Sequence, residues 1–412
     1  MRFLGHGALA ALATLVLANT EAMALDVFAT SFFPVESPAD PDPTLTGVLK
    51  INVETGSVST FIPESPQTGF IYPTDVVVDS GTNRMYVSTL SGLIFHFDAL
   101  TGAPLESNIP GLPGAFAALP QAEVEQGNGY NNLLLTGDGQ VLAATAFGSI
   151  TPYELATGAP ATNLADGLPY PSGMAYSPAG DLLVSVGDPF GGPGAVLQLG
   201  AEDPLVPFGA TPGVRGGSKP FVVYAAADYN RDGVVNEPDY DVWAAAYGTD
   251  DPAADGNFDG VVDAADYTVW RDAEGEEATI VITDLNGNQL TQYTMDGSFG
   301  MELAIIPPAI PDPLPDTANE AAPSNSPSGL LETPDGTFLV STLGLTRRPD
   351  NRGALIEFGR DGGLLGTIVE GLPPISAIAF APESVGVASV PEPSVVVLAA
   401  IAMVGAFANR RV

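Results

Sequence analysis

The stretch PSGMAYSPAGDLLVS, residues 171–185, returns as PSGLLETPDGTFLVS at residues 327–341, and a copy one residue longer, PTDVVVDSGTNRMYVS, begins at Pro73. Each copy has an apolar segment, a turn rich in Gly, Pro and Asp, and a second apolar segment, which is typical of two antiparallel strands. A third apolar segment follows each copy; the three segments are GLIFHFD, GAVLQLG and GALIEFG, which begin at Gly92, Gly194 and Gly353. The repeat therefore predicts three consecutive strands in each unit.

A second set of turns indicates a fourth strand; these turns are NVETG, DALTG and ELATG, which begin at Asn52, Asp98 and Glu154. In such turns Gly supplies a positive φ, and Asp or Asn bonds to its own backbone. The tripeptide GLP marks the unit boundaries, at Gly111, Gly167 and Gly371. Four short strands in units spaced roughly 45 to 55 residues apart are typical of β-propeller blades, and the turns predict a mainly β, about six-bladed propeller.

The two ends of the repeat array are expected to complete one blade between them. Residues 47–51 have the pattern of a third strand, and residues 375–389 have the pattern of a first and a second strand. Such a closure removes exposed sheet edges. Across residues 45–389 the pattern resembles the NHL and gluconolactonase-like propellers, and because the shared features are turns, the resemblance implies a fold rather than an activity. A β-sandwich of repeated hairpins is the alternative.

The pattern changes between residues 226 and 275, where two stretches of twelve residues match D-x-N-x-D-G-x-V-N/D-x-x-D. They are DYNRDGVVNEPD from Asp228 and DGNFDGVVDAAD from Asp255. Calcium takes six to eight oxygen ligands, and a twelve-residue loop supplies them from positions one, three, five, seven, nine and twelve, with Gly at position six for the sharp turn. Each stretch is therefore predicted to hold one Ca²⁺ ion, and chance Asp-Gly turns in an acidic chain are the alternative.

The predicted ligands of the first loop are Asp228, Asn230, Asp232, the carbonyl of Val234, Asn236 and Asp239, with Gly233 at the turn. The predicted ligands of the second loop are Asp255, Asn257, Asp259, the carbonyl of Val261, Asp263 and Asp266, with Gly260 at the turn. The second set contains four carboxylates and the first contains three. Because ligand charge tunes affinity, the second loop is expected to bind calcium more tightly.

The last ligand of each loop is Asp where EF-hands usually have Glu, and in this the pair resembles dockerin type I repeats, in which a loop followed by a helix is duplicated. Tyr240 and Trp243 stand three residues apart after the first loop, and Tyr267 and Trp270 do so after the second. On helices each pair shares one face, and the two faces are expected to pack together.

The dockerin resemblance implies a cohesin module as partner. In that family the partner-reading residues at loop positions ten and eleven are typically hydroxylated. Here those positions hold Glu237-Pro238 and Ala264-Ala265, which argues against cohesin binding of the usual kind. The module is expected to be an insertion in the fifth blade, because strand-like PFVVYA from Pro220 precedes it and ATIVITD follows it; one strand of this blade is not identified from the sequence.

Both ends of the chain have the pattern of sorting signals. Residues 1–24 combine Arg2, an apolar run and an A-x-A site at residues 22–24, as a secretory signal peptide does; a buried N-terminal helix is the alternative. Pro391-Glu392-Pro393, a short apolar run and Arg410-Arg411 resemble the PEP-CTERM signal. That resemblance implies signal peptidase and exosortase as export partners, a tail that is transiently in the membrane, and a final position at the outer surface or in the extracellular matrix.

A permanent membrane anchor is the alternative for the tail. Its apolar run, residues 395–408, is shorter than the roughly 20 residues of a comfortable membrane span. The chain thus divides into a signal peptide (1–24), a first propeller part (45–225), the dockerin-like module (226–275), a second propeller part (279–389) and a sorting tail (390–412).

Composition excludes several classes of function. Acidic residues outnumber basic ones by 49 to 13, and a formal net charge of −36 repels nucleic acid and anionic lipids. The chain has no Cys, so disulfides and thiol chemistry are excluded. Beyond His6 in the signal peptide, His96 is the one histidine, which excludes a multi-histidine metal site. We interpret His96 as a half-exposed strand residue rather than a catalyst.

These observations favour an exported calcium-binding surface or matrix protein whose propeller is a non-catalytic binding platform for a protein or glycan. The alternative is a propeller hydrolase, lactonase-like or polysaccharide-degrading. Lactonases of this kind hold a divalent metal over the channel, and Asp75 is placed to contribute, but Gly173 and Gly329 occupy the matched positions in sister units. Three or more carboxylates converging at one mouth of the ring would favour the enzyme.

Overall fold

Six sheets of short antiparallel strands make up the protein in the computed structural model, which describes residues 25–31, 45–188, 192–199, 206–209, 211, 213–215, 217–251, 253–258, 260–284, 288–306, 326–343 and 353–382. The predicted signal peptide and sorting tail lie outside these residues, as does Asp259 of the second loop.

The elements follow one another along the chain in blades. The first three strands are β1 (Asp26–Ser31), β2 (Gly47–Asn52) and β3 (Val58–Ile62). The next sheet contains β4 (Pro73–Asp79), β5 (Arg84–Thr89), β6 (Leu93–Asp98) and β7 (Ala115–Ala118). After the short helix α1 (Gln121–Val124) come β8 (Tyr130–Leu135), β9 (Gln140–Thr145) and β10 (Ile150–Glu154). The fourth sheet contains β11 (Gly173–Tyr176), β12 (Leu182–Gly187), β13 (Gly194–Leu199) and β14 (Val206–Pro207).

The fifth sheet is interrupted by two helices. Its first strand is β15 (Lys219–Val223), the helices are α2 (Glu237–Ala246) and α3 (Ala264–Ala273), and its remaining strands are β16 (Thr279–Asp284), β17 (Gln289–Thr294) and β18 (Phe299–Ile305). The sixth sheet contains β19 (Pro327–Glu332), β20 (Phe338–Thr342), β21 (Gly353–Phe358) and β22 (Leu364–Leu372). The last strand, β23 (Ile375–Phe380), returns to the first sheet.

The six sheets form a closed ring, which confirms the predicted propeller. The first strands contact one another in the order β23, β4, β8, β11, β15, β19, and β19 contacts β23 again. Within each sheet the strands then run outward in chain order. The second strands are sandwiched between neighbouring blades, so that β12 is buried along its whole length, whereas most of the outer strand β18 is exposed.

The blade that closes the ring differs in one strand from the sequence prediction. Its order is β23-β1-β2-β3, so the C-terminal part supplies only the first strand. The second strand is β1, which lies ahead of the predicted start at residue 45 and pairs antiparallel with both β23 and β2. The joint therefore links the two ends of the described chain through hydrogen bonds on both sides of β1.

The strand of the fifth blade that the sequence did not reveal is β18. It pairs with β17 through two register shifts and exposes Phe299, Met301 and Ile305, so it lacks the regular alternation of a half-buried strand. The third blade has three regular strands among the described residues. Isolated bridges from Ile150 to Ala165 and from Tyr153 to Pro160 supply its outer edge.

A belt of side-chain hydrogen bonds joins the inner strands around the channel. Each bond runs from a Ser, Thr or Asn on one inner strand to a backbone carbonyl at the start of the next. The pairs are Thr74 to Tyr130 (2.8 Å), Asn131 to Pro171 (3.2 Å), Ser172 to Ser218 (2.9 Å), Ser328 to Ile375 and Ser376 to Pro73 (3.3 Å). The recurring polar residue after Pro in the sequence repeat therefore fastens one blade to the next.

Candidate calcium-binding module

The two helices and their preceding loops form a small module inserted between β15 and β16, the first and second strands of the fifth blade. Both helices begin in the same way. Asn236 and Asp263 are the N-cap residues in extended conformation, and Asp239 and Asp266 three positions later accept the N-cap backbone N–H at 2.8 and 2.7 Å. Each helix therefore begins directly after position nine of its loop, and the predicted last ligand lies in its first turn.

Both loops make the tight turn that a calcium loop requires. At position four Arg231 and Phe258 take φ values of 57° and 60°, and at position six Gly233 and Gly260 take 98° and 87°. Only Gly adopts the latter conformation without strain, which explains its place in both motifs.

In the first loop three carboxylates converge. One oxygen from each of Asp228, Asp232 and Asp239 lies within 4.8 Å of the others. Two ligand oxygens on opposite sides of a calcium ion are separated by about 4.6 to 5.2 Å, twice the usual ligand distance. Asp228 and Asp239 are buried and Asp232 is exposed, so the cluster opens to solvent on one side.

The backbone of the first loop is arranged around these carboxylates. The N–H of Gly233 donates to Asp228 Oδ2 at 2.9 Å, and the N–H of Asn230 donates to Asp239 Oδ1 at 2.9 Å. Burial raises the pKa of Asp228, and the charges of Asp239 and Asp232 raise it further, while the hydrogen bond from Gly233 opposes the shift. A cation among the three groups would remove this repulsion.

Asn236, at position nine, supplies a further oxygen. Its Oδ1 is buried and accepts no hydrogen bond from the described residues. A buried polar atom without a partner costs about 1–3 kcal/mol, and such atoms are uncommon in native proteins. An ion, or a water bound to the ion, would satisfy this oxygen. The predicted carbonyl ligand Val234 exposes 38% of its surface, as expected if its side chain is not part of the cage.

The second loop repeats this framework in its described part. The N–H of Gly260 donates to Asp255 Oδ2 at 2.7 Å, and the N–H of Asn257 donates to Asp266 Oδ1 at 3.1 Å. Asp255 and Asp266 are buried like their counterparts, and Val261 is exposed. Each of these features occurs at the same loop position in the first loop, so the two loops share one design.

The helices hold the two loops together through crossed hydrogen bonds. The indole N–H of Trp270 donates to the carbonyl of Asn236 at 2.8 Å, and that of Trp243 donates to the carbonyl of Asp263 at 2.9 Å. Each tryptophan therefore fixes position nine of the opposite loop. The hydroxyl of Tyr229 adds a bond to the carbonyl of Asp266 at 3.0 Å.

The predicted packing of the two aromatic faces is confirmed. The ring centroids of Tyr240 and Trp270 are 5.3 Å apart, those of Trp243 and Tyr267 are 5.3 Å apart, and those of Tyr240 and Tyr267 are 6.1 Å apart. The four rings form one cluster between α2 and α3.

The module is also attached to three blades of the propeller. The N–H of Ala278, next to β16, donates to the carbonyl of Gly233 at 2.8 Å, which ties the first loop to its own blade. A Cβ on Gly233 would lie 2.7 Å from Pro178, in the β11–β12 turn of the preceding blade. A Cβ on Gly336, in the β19–β20 turn of the following blade, would lie 2.8 Å from the ring of Phe258.

The candidate catalytic residues do not meet at a mouth of the ring. His96 was predicted to be half-exposed, but it is buried between Tyr86 and Phe116, where Nε2 contacts the carbonyl of Glu106 at 2.8 Å. Burial lowers its pKa, which favours the neutral ring. The reason for the difference is that Tyr86 of β5, Phe116 of β7 and the segment at Glu106 cover this side chain, which strand alternation does not reveal.

Asp75 lies on the inner strand β4, where its carboxylate is buried and held by partners from two other blades. Asn132 and the N–H of Leu133 donate to its carboxylate, and Lys219 reaches from the fifth blade to within 3.8 Å of it. Burial raises the pKa of Asp75, while the charge of Lys219 and the hydrogen bonds oppose this shift. Gly173 leaves the space for Lys219, since a Cβ there would lie 2.8 Å from the lysine Cα. The sequence did not single out Lys219, which a partner so distant in the chain makes hard to find.

Among the described residues, the first loop holds the one group of three or more acidic or histidine side chains close enough to share an ion. The described helices are all too short or too polar to cross a membrane.

Comparison with known proteins finds distant structural similarities alone. No protein-family model and no curated sequence matches the chain. Among solved structures, a nidogen/laminin complex matches with 8% identity and a TM-score of 0.47 over 87% of this chain and 98% of that chain. Virginiamycin B lyase from Staphylococcus aureus matches with 13% identity and a TM-score of 0.37, covering 73% and 69% of the two chains. A protein described as a candidate gluconolactonase matches with 11% identity and a TM-score of 0.42, covering 74% and 80%.

Proposed function

We propose that this is an exported surface or matrix protein that binds two calcium ions through its inserted module and presents a non-catalytic propeller as a binding platform. The main support for calcium binding is the geometry of the first loop. Three carboxylates converge there within 4.8 Å, beside the buried Oδ1 of Asn236, which has no donor among the described residues. Calcium prefers this set of hard oxygen ligands.

The second site is supported by repetition. Asp255, Asn257 and Asp266 keep the hydrogen bonds of their counterparts, and both loops share the same turn at positions four and six. The crossed bonds from Trp243 and Trp270 make each loop depend on the helix that follows the other. Two ions bound to such a pair would order the module as one unit.

We also propose that the module braces the propeller, and the attachment of the first loop to the propeller supports this role. Gly233 lies in that loop, bonds to the residue before β16 and rests against Pro178 of the preceding blade. An ion that fixes this loop would therefore also fix the start of β16. A non-catalytic propeller is favoured because the candidate acid Asp75 is buried and already engaged by Lys219 and Asn132.

Export rests on the two ends of the sequence, with an A-x-A site at residues 22–24 and the Pro391-Glu392-Pro393 triplet before an apolar run. Signal peptidase and an exosortase would process these ends, and the protein would then reach the outer surface or matrix. A net charge of −36 without cysteine suits a soluble surface protein that meets cations. Mass spectrometry of the protein recovered from its native cells tests this part, with cleavage after Ala24 as the expected result.

Intrinsic tryptophan fluorescence of the full chain tests the calcium part, because both tryptophans of the chain lie in the module. Adding calcium to chelator-treated protein should change the emission of Trp243 and Trp270, and a chelator should reverse the change. Magnesium at the same concentration is the control, since it demands a smaller octahedral site. Emission that is the same with calcium and with chelator would contradict the proposal.

A further inference from the structure

An open groove of about 520 Å³ lies over the two helices of the module. The residues that line it are four aromatic and two acidic side chains, namely Tyr240, Trp243, Tyr267, Trp270, Glu237 and Glu274. Calcium binding, as proposed above, uses the loops and leaves this surface without a role.

The groove offers aromatic ring faces rather than hydrogen-bond donors from its tryptophans. Both indole N–H groups are directed to backbone carbonyls of the opposite loop. Tyr240 exposes 37% of its surface, and it lies 5.3 to 5.4 Å from both tryptophan rings at tilted angles. Ring faces carry partial negative charge and attract cations, most strongly for Trp.

The two acidic residues lie at the same end of the groove. The crossed bonds pair the last turn of α3 with the start of α2, so the helices are antiparallel. Glu237 begins α2 and Glu274 follows α3, which brings them together. Beyond the opposite end Tyr247, which is 56% exposed and does not line the groove, packs edge-on against Trp243 with centroids 5.4 Å apart. The groove therefore has an acidic end, and Tyr247 borders its opposite, aromatic end.

No basic side chain lines the groove among the described residues. Arg271 is the nearest along α3, and its guanidinium is taken by Asp272 at 2.6 Å. The net charge of −36 adds a long-range field that draws positive partners toward the protein.

We propose that this groove binds a basic side chain of a partner protein, with the cation over the rings of Tyr240 and the two tryptophans and beside the two glutamates. Arginine fits best, because its planar guanidinium stacks on aromatic faces and pairs with carboxylates at the same time. The aromatic end receives the apolar stem of the side chain or a neighbouring residue of the partner.

The test compares two peptides that differ only in charge. One carries three arginines separated by glycines, and the other carries citrulline, the neutral isostere, at the same positions. Each is titrated into the full chain at saturating calcium and 150 mM salt, and tryptophan emission is followed. The arginine peptide should give a saturating change, and the citrulline peptide should bind at least tenfold more weakly.

Variants separate the groove from the general field of the acidic protein. Glu237→Gln and Glu274→Gln should each weaken the arginine peptide several-fold, and Tyr240→Ala should do the same without a change in charge. Glu302→Gln, on the exposed part of β18, removes the same charge elsewhere and should leave binding unchanged. Equal binding of both peptides, equal weakening by Glu302→Gln, or a response to a neutral oligosaccharide alone would each overturn the inference.

The inference rests on the proposed calcium module only for the folding of the two helices. Far-UV circular dichroism at saturating calcium checks that the variants keep those helices. A protein whose emission ignores calcium but discriminates the two peptides would contradict the proposed function and leave the groove in place. A protein whose emission responds to calcium but does not discriminate the peptides would contradict the groove inference and leave the proposed function in place.

Discussion

Asn236 and Asp263 occupy position nine of their loops, and each joins three parts of the module. Each is the N-cap residue of the helix that follows it, and the carbonyl of each accepts the indole N–H of the opposite tryptophan. The side chain of each is also a predicted calcium ligand. Loss of the tryptophan bond is therefore expected to act on the opposite loop.

Trp270→Phe should lower the calcium affinity of the first loop, and Trp243→Phe should lower that of the second. In each variant the carbonyl at position nine loses its indole donor, which costs about 0.5–1.5 kcal/mol and amounts to roughly a two- to tenfold effect on binding. Isothermal titration calorimetry measures each site separately when the other loop is inactivated, by Asp259→Ala for the first loop and by Asp232→Ala for the second. Each of these variants serves as the control for the other. If each substitution weakens the loop before its own helix instead, the crossed arrangement is wrong.

The carboxylate count makes a second prediction at this scale. Asp232→Ala should leave the second loop as the remaining site, and Asp259→Ala should leave the first. The remaining site should be tighter in Asp232→Ala, by roughly tenfold, because four carboxylates attract the ion more strongly than three. Calcium titration of the two variants under identical salt decides the order. Equal affinity in both would defeat it.

The two glycines at position six allow two effects to be measured separately, namely backbone strain within a loop and the contact of the first loop with the propeller. Gly233 and Gly260 both have positive φ, but Gly233 also rests against Pro178, whereas a Cβ on Gly260 meets nothing within 4 Å. Gly260→Ala should weaken calcium binding in its own loop through backbone strain of about 1–2 kcal/mol. Gly233→Ala should in addition lower the thermal stability of the propeller, as measured by differential scanning calorimetry with calcium present. If Gly233→Ala and Gly260→Ala have the same melting temperature, the first loop does not contact the propeller as described.

At the scale of elements, the inner strands are fastened by side chains as well as by packing. Thr74 donates to the carbonyl of Tyr130 in the next blade, and four other junctions have an equivalent bond. Ser218 holds the matched position in the fifth blade, but its buried hydroxyl has no hydrogen-bond partner among the described residues. Ser218 is therefore a control for Thr74, because its hydroxyl lacks the hydrogen bond that the Thr74 hydroxyl makes.

Thr74→Val keeps the shape of the side chain and removes its hydroxyl. It should lower the free energy of unfolding by about 1–3 kcal/mol, because the carbonyl of Tyr130 is left unsatisfied. Ser218→Ala removes a hydroxyl that makes no such bond and should change stability by less than about 0.5 kcal/mol or increase it. Urea denaturation with a common slope compares the two. A larger loss in Ser218→Ala would contradict the belt.

Elements with local signals could be predicted from the sequence, and elements without them could not. Tight turns rich in Gly and Asp identify the hairpins of residues 73–88, 171–185 and 327–341, because turn chemistry is a property of a few adjacent residues. By contrast β1 has no turn motif that links it to its partners, and it pairs with β23, about 350 residues later. The irregular pairing of β18 hides its alternation in the same way.

In the calcium-binding module, too, local features could be predicted from the sequence and contacts between distant residues could not. Loop positions follow from spacing, and the aromatic face follows from residues three apart, so both could be read in the sequence. The crossed tryptophan bonds, the contact of Gly233 with Pro178 and the reach of Lys219 to Asp75 join separate parts of the chain. His96 was misjudged for a similar reason, since its exposure is set by Phe116 and Glu106, which follow its strand, rather than by the strand itself.

At the scale of the whole molecule, the module is an insertion that contacts its own blade and both neighbours. Because the first loop bonds to the residue before β16, calcium bound there should stabilise the propeller as well as the module. A ligand present at a hundred times its Kd adds about 2.7 kcal/mol for each site. Calcium should therefore raise the melting temperature of the propeller by a few degrees, and Asp232→Ala should remove most of this shift.

The proposed role of the module requires that each of the two loops holds a calcium ion. Isothermal titration calorimetry of the full chain, first freed of metal with a chelator, measures this without any probe. The predicted result is two calcium ions bound per chain, with one lost in Asp232→Ala and a different one lost in Asp259→Ala. Absence of calcium binding, or a stoichiometry that neither substitution changes, would contradict the account.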